Sequence, residues 1–212
     1  MRTDGIYMDL LKASDGTDLP PEDRHVLASL VALAMEEVRR GNTLPSALGL
    51  RADALESFLG HVFPQAPKGF FPIQAPEQFE RTTEEDSIRQ LLLRFRTPSS
   101  VLAPALATLI ARRSMHPNHL WQDLGLRDRT ELSRLMSTHF APLAHRNHQD
   151  MKWKRFFYRM TCTEEGFSLC AAPVCSACSD LANCFGDESG ESLLARNQFL
   201  MPRSPEALRP AL

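Results

Sequence analysis

The residues best suited to chemistry are four cysteines, Cys170, Cys175, Cys178 and Cys184, spaced C-x4-C-x2-C-x5-C within 15 residues. Thiolates are soft ligands that prefer zinc, cuprous copper or iron–sulfur clusters over hard cations. Zinc ribbons set two short knuckles apart with a longer spacer, because each pair grips one tetrahedral ion from one side. Here only two residues separate Cys175 from Cys178, and a continuous run that wraps a larger cluster is the better match. Pro173 and the Phe185-Gly186 step supply the sharp turns such a loop needs. A fifth cysteine, Cys162, stands eight positions before Cys170. It reads either as a buried thiol of the core or as an exchangeable or outer ligand.

Two further sets of residues lie close in sequence. His116-Pro117-Asn118-His119 offers two imidazoles three apart, but Pro117 disfavours a helical His116. That leaves His119 as a candidate ligand or a structural histidine. Lys152, Arg155 and Arg159 recur at i, i+3 and i+7, and Cys162 continues that row if the helix runs so far. The row is either a solvated face or positive charge set beside an anionic cluster. His139, His145 and His148 show no partner spacing. Asp187, Glu188 and Glu191 fit the start of a short helix better than a carboxylate site.

The rest of the chain must hold these groups in place. At 212 residues, 43% hydrophobic and 24% charged, it can bury a core as one domain. A net charge of −2 gives no global attraction to nucleic acid or to an acidic membrane. The apolar stretch from Val101 to Ala111 is too short to span a bilayer. MRTDGIYMDLL has neither the basic segment nor the long apolar core of a signal peptide, so a cytoplasmic protein with reduced thiols is expected.

Periodicity predicts helices throughout and no hairpins, hence an all-α fold. Val26, Leu27, Leu30, Val31, Ala34 and Val38 mark one helix, closed by Arg39, Arg40 and Gly41. A second opens at Thr82 or Thr83 and buries Ile88, Leu91, Leu92 and Phe95. Ser99 or Ser100 caps a third, from Val101 to about Met115. Met151 to Met160 forms a fourth, with Trp153, Phe156, Phe157 and Met160 on its apolar face. A faint repeat links Leu48-Gly49-Leu50-Arg51 to Leu124-Gly125-Leu126-Arg127. Each copy is followed by D-x-x-E (Asp53/Glu56 and Asp128/Glu131), a possible helix cap, and the repeat is read as two similar packing units. The expected organisation is a poorly defined segment 1–20, a helical domain 21–198 with its cluster loop at 162–186, and a flexible tail 199–212.

His119-Leu120-Trp121-Gln122-Asp123-Leu124-Gly125-Leu126, the run from Met151-Lys152-Trp153-Lys154 to Arg159, and the cysteine loop closing in Cys184-Phe185-Gly186 together resemble the NifQ family. Asp187-Glu188-Ser189-Gly190-Glu191 continues the likeness, which is strongest from Ala111 to Ala195 and weaker back to Leu48. The resemblance implies a nitrogen-fixation accessory protein rather than an enzyme. It implies an iron–sulfur cluster (4Fe–4S, 3Fe–4S or Mo–Fe–S) on Cys170, Cys175, Cys178 and Cys184. It also implies molybdenum, taken from molybdate or another source and donated for the iron–molybdenum cofactor. The implied recipients are nitrogenase reductase and a cofactor-assembly scaffold. Endonuclease III-type DNA glycosylases also end a helical fold in a compact cysteine loop, but no glycine-rich helix–hairpin–helix is present here, and no nucleic-acid partner is expected. A zinc-stabilised interaction protein is the third reading.

If the four-cysteine run holds the cluster, Cys175→Ala or Cys178→Ala should abolish bound iron in anaerobically purified protein while leaving far-ultraviolet helicity nearly intact. Full iron content in both variants would refute the assignment.

Overall fold

Nine successive buried residues, Val26 to Ala34, make α2 (Pro21–Arg39) the central helix of the body. A helix apolar on every side is stable only when others surround it. Pro21 opens it where a missing N–H costs nothing, and Glu22 and Asp23 complement the N-terminal dipole. The computed structural model describes residues 3–73 and 80–164, together with Glu188 and Leu193. No strand occurs among them, and the all-α expectation holds.

Segment 1–20, expected to be poorly defined, instead contains α1 (Thr3–Ala13), packed on α2. Ile6, Leu10 and Ala13 are buried at i, i+4 and i+7. This stripe is too short to stand out in sequence, but it suffices once α2 supplies an apolar partner. The helix read from Thr82 is α5 (Thr83–Arg94), whose Glu85 N–H donates to the Thr82 hydroxyl at 3.1 Å. The next is α6 (Ala103–Ser114), two residues later than expected. Ser100 Oγ receives the Ala103 N–H at 3.1 Å, and Val101 is left 83% exposed.

The repeat is realised as a short helix, a left-handed glycine and a second helix. α3 (Leu44–Leu48) leads through Gly49 (φ 70°) into α4 (Ala52–Val62). α7 (Leu120–Asp123) leads through Gly125 (φ 74°) into α8 (Arg129–His139). At Gly125 a side chain would also strike α2, with Leu33 Cδ1 and Ser29 Cβ 3.0 and 3.2 Å from an added Cβ. The capping expectation holds in one copy only. Asp128 accepts the N–H groups of Thr130 and Glu131 at 2.7 and 3.1 Å. Asp53 lies inside α4 rather than before it, is 80% exposed, and caps nothing. Both copies end on a buried phenylalanine, Phe63 and Phe140, and after Phe140 comes the short α9 (Ala141–Ala144).

His139, for which the sequence offered no partner, is the pin of a buried chain. Its Nε2 lies 3.0 Å from Asp23 of α2, and its Nδ1 lies 2.6 Å from the Ser100 hydroxyl. Its backbone carbonyl receives the Thr97 N–H. The Ser100 hydroxyl also receives the Ala103 N–H, so the arrangement joins three parts of the body. Leaving a buried polar group without its hydrogen-bond partner typically costs about 1–3 kcal/mol, and more when that group is charged. His139→Ala, which strands the Asp23 carboxylate, should therefore lower the unfolding free energy by about 3 kcal/mol. A urea midpoint equal to the wild type would contradict the role.

Candidate metal centre and its anchoring

The last described helix, α10 (Trp153–Glu164), begins two residues later than its aromatic pattern suggested and runs further. Trp153, Phe156 and Phe157 are buried and Met160 is partly buried, as the apolar face required. Because the helix persists to Glu164, Cys162 does continue the basic row; it is half-buried, in the last turn. Lys152 precedes the helix, its carbonyl accepting the Phe156 N–H at 2.9 Å. Arg155 is exposed. Arg159 is half-buried and points a guanidinium N–H at Met151 Sδ, 3.9 Å away.

The cation that fixes this helix is one that sequence reading passed over. Lys154 Nζ donates to Asp123 Oδ2 at 2.6 Å and to the His116 carbonyl at 2.5 Å. Asp123 is fully buried and takes a second bond from Asn118 at 2.9 Å. Burial lowers the Lys154 pKa, and the Asp123 carboxylate works against that fall. The only sequence hint was a lysine between Trp153 and the aromatic pair, on a helix otherwise committed to the core.

Arg129, the first residue of α8, organises the approach to α10. Its Nη2 donates to the Asp150 carbonyl, the Asp150 carboxylate and the Met151 carbonyl at 3.0, 2.7 and 2.8 Å. Asp150 has φ 55°, a left-handed conformation rare outside glycine and its short polar neighbours. Asn147 closes the same turn, exchanging bonds with the N–H and carbonyl of Met151 at 2.9 Å each. The other end of the guanidinium, Nη1, contacts Glu188 Oε2. Glu188 Oε1 in turn lies 3.1 Å from His119 Nδ1, with its side chain only 6% exposed.

His119 thus sits on a carboxylate, four residues in sequence beyond Cys184, and at the N-cap of α7, where Gln122 Oε1 receives its backbone N–H at 3.2 Å. Burial, then Lys152, Lys154 and Arg129, hold its ring below the ordinary imidazole pKa. His116 belongs to the non-helical turn before α7, as Pro117 required. Cys170, Cys175, Cys178 and Cys184 lie outside the described residues, as does the 199–212 tail. Among the described residues no group of three or more His, Cys, Asp or Glu is arranged to hold a metal ion. No described helix is long and apolar enough to cross a membrane.

The comparisons with known proteins bear on this geometry. A family model described as NifQ matches residues 26–186, which runs from within α2 through α10 and takes in the whole four-cysteine run. The chain belongs to the NifQ family. It is 41% identical over 178 residues to a NifQ homolog of Sinorhizobium fredii, covering 83% of this chain and 77% of that protein. It is 33% identical over 184 residues to NifQ of Rhodobacter capsulatus, covering 86% and 98%. Against NifQ of Klebsiella pneumoniae the identity is 45% over 84 residues, 39% of this chain and 50% of the other. The NifQ match begins well before Leu48, where the resemblance seen in the sequence faded. No solved structure matches the fold.

Acid should weaken this corner. Burial and Arg113 hold His116 below its ordinary value of 6.5. Below pH 6.5 the unfolded chain therefore takes up a proton that the folded chain still refuses, and stability falls as the pH drops. His116→Asn removes that titration. Its urea midpoint should decline less than the wild type's between about pH 7.5 and about pH 5.5. Parallel declines would show that His116 does not contribute.

Proposed function

We propose that this chain is a NifQ-type metal carrier: an iron–sulfur protein that takes up molybdenum as cargo and donates it for assembly of the nitrogenase iron–molybdenum cofactor. The observation that carries the proposal is the family match over 26–186, which includes Cys162 and the four-cysteine run. The chain acts as a donor rather than an enzyme, and its recipients are nitrogenase reductase and a cofactor scaffold. It works in the cytoplasm, where its thiols stay reduced.

The residues fit the group they would hold. Cys170, Cys175, Cys178 and Cys184 form an all-thiolate donor set of the softness an iron–sulfur core requires. Around His119 stand Lys152, Lys154 and Arg129, cations of the sign that an anionic thiolate cluster and an oxyanion cargo both favour. Such a core, when bound, offers bridging sulfides on which molybdenum can be carried and given up. The body's task is to present the thiols and to keep positive charge beside them.

Anaerobically purified protein should contain iron, sulfide and molybdenum, and should be coloured. Zinc alone would turn the reading to a structural zinc site. Salt-sensitive, submicromolar binding of duplex DNA would turn it to the glycosylase class. The basic row gives a sharper test. Exposed charges are worth about 1 kcal/mol or less each, but their sum grows where water is partly excluded. Replacing Lys152, Arg155 and Arg159 together by Gln should leave iron near normal and reduce molybdenum loading or transfer, more so at low salt. Unchanged loading and transfer would make the row a solvated face. Loss of iron with the molybdenum would move its role to holding the cluster.

A further inference from the structure

The cysteine run is bracketed by two described points. One is the end of α10 at Glu164, two residues past Cys162. The other is Glu188, four residues past Cys184 in sequence. A single side chain reaches both sides of the bracket. Arg129 Nη2 is spent on the turn that launches α10, through Asp150 and Met151, while Nη1 holds Glu188. His119 takes the second oxygen of the same carboxylate. Leu193, five residues further on, is partly buried against the core.

We propose that Glu188, clasped by Arg129 and His119, is a positioning residue that fixes the C-terminal root of the metal loop relative to its N-terminal root on α10. The inference rests on the proposed function above, since it assigns Glu188 to the retention of that same cluster. The sequence placed Glu188 at the start of a terminal helix, as a partner for its dipole. The structure gives it a different occupation: a nearly buried carboxylate with two cationic or hydrogen-bonding partners from α8 and α7.

The physical reason for such a clasp is entropic. A segment of 23 residues between Glu164 and Glu188, rooted at one end only, explores far more conformations than one rooted at both. Each conformation lost on metal binding weakens retention, so fixing both ends beforehand strengthens it. Arg129 suits the task because its two terminal nitrogens are held apart on a rigid planar fork, so each can serve a different partner. Its own position is set by the left-handed Asp150 turn and by the start of α8. The distance between the two roots is therefore defined by covalent structure, three hydrogen bonds of Arg129 and the two ion pairs of Glu188, not by the metal.

The test uses the full chain, purified anaerobically, as wild type, Glu188→Gln, Glu188→Ala and Glu188→Asp. Iron loss to a ferrous chelator should be about 10- to 100-fold faster in Glu188→Gln and Glu188→Ala, the range seen when residues orienting metal ligands are removed. Glu188→Asp, which keeps the charge on a shorter stem, should retain iron better than Glu188→Ala. Adding Glu188→Gln to Arg129→Gln should change little beyond Arg129→Gln alone, because the clasp is already open. In the apo-protein, amide exchange at 188–193 should accelerate in Glu188→Gln while α2 and α6 remain as protected as in wild type. Iron loss at the wild-type rate would overturn the proposal. So would iron loss that appears only together with lost protection of α2 and α6. Wild-type protein devoid of iron would refute the proposed function instead, and the clasp would then be judged on exchange alone: unchanged rates at 188–193 overturn it, faster rates sustain it.

Discussion

Buried carboxylates impose the strictest demand on this body. Glu85 and Asp123 have side chains with no exposure, and Glu188 has 6%. Each is met by a cation from another part of the chain: Arg112 at 3.1 Å for Glu85, Lys154 for Asp123 and Arg129 for Glu188. Such pairs roughly break even against apolar packing of the same volume, so they add little net stability. What they penalise is displacement, because an ionised carboxylate left alone in the interior has no cheap alternative. At Glu85, burial raises the carboxyl pKa even with Arg112 and Arg81 beside it. The three pairs therefore act as locating pins, one between α5 and α6, one between α7 and α10, and one between α8 and the chain beyond the cysteines.

The pins also explain why certain small residues stand where they do. Gly49 lies directly on the first pin, with Arg112 Cβ and Glu85 Oε1 at 3.1 and 3.3 Å from an added Cβ, and Arg81 donates to its carbonyl at 2.9 Å. Gly125 performs the same service one repeat later, letting the α7–α8 corner press on Ser29 and Leu33 of α2. The repeat is thus two corners of similar design, one set against an ion pair and one against the apolar helix.

How much of this could be read from the sequence divides along physical lines. Periodicity exposes a helix's buried face, and so the starts of α2, α5, α6 and α10 were legible to within about two residues, while the end of α10 was set four residues short. It says nothing about which partner covers that face, so α1 went unseen although Ile6, Leu10 and Ala13 have the right spacing. Local chemistry was legible where a side chain serves its own backbone, as Thr82 and Asp128 do. It failed at Asp53, because the same D-x-x-E motif lies two positions too late when Arg51 is the N-cap and the helix begins at Ala52. Contacts between distant positions were not legible at all. Lys154 and Asp123 are 31 residues apart, and His139 and Asp23 are 116 apart. The cysteine run lies outside the described residues, and its soft-metal reading rests on spacing alone.

The charge around His119 follows from the same pins. Lys152, Lys154 and Arg129 act on that ring together, and the carboxylates facing these cations among the described residues are Asp123, Glu188 and Asp150. Three cations thus meet three carboxylates, and the corner is a set of matched charges. Charges maintained by buried pairs differ from loose surface lysines. Lys154 and Arg129 are held in place by their own carboxylates, so salt screens them less than it screens an exposed side chain. Their direction is fixed by the fold, whereas Arg155, one turn along from Lys152, is exposed to the full ionic strength of the solvent. The pins therefore separate charges that keep their geometry from a charge that the solvent can screen.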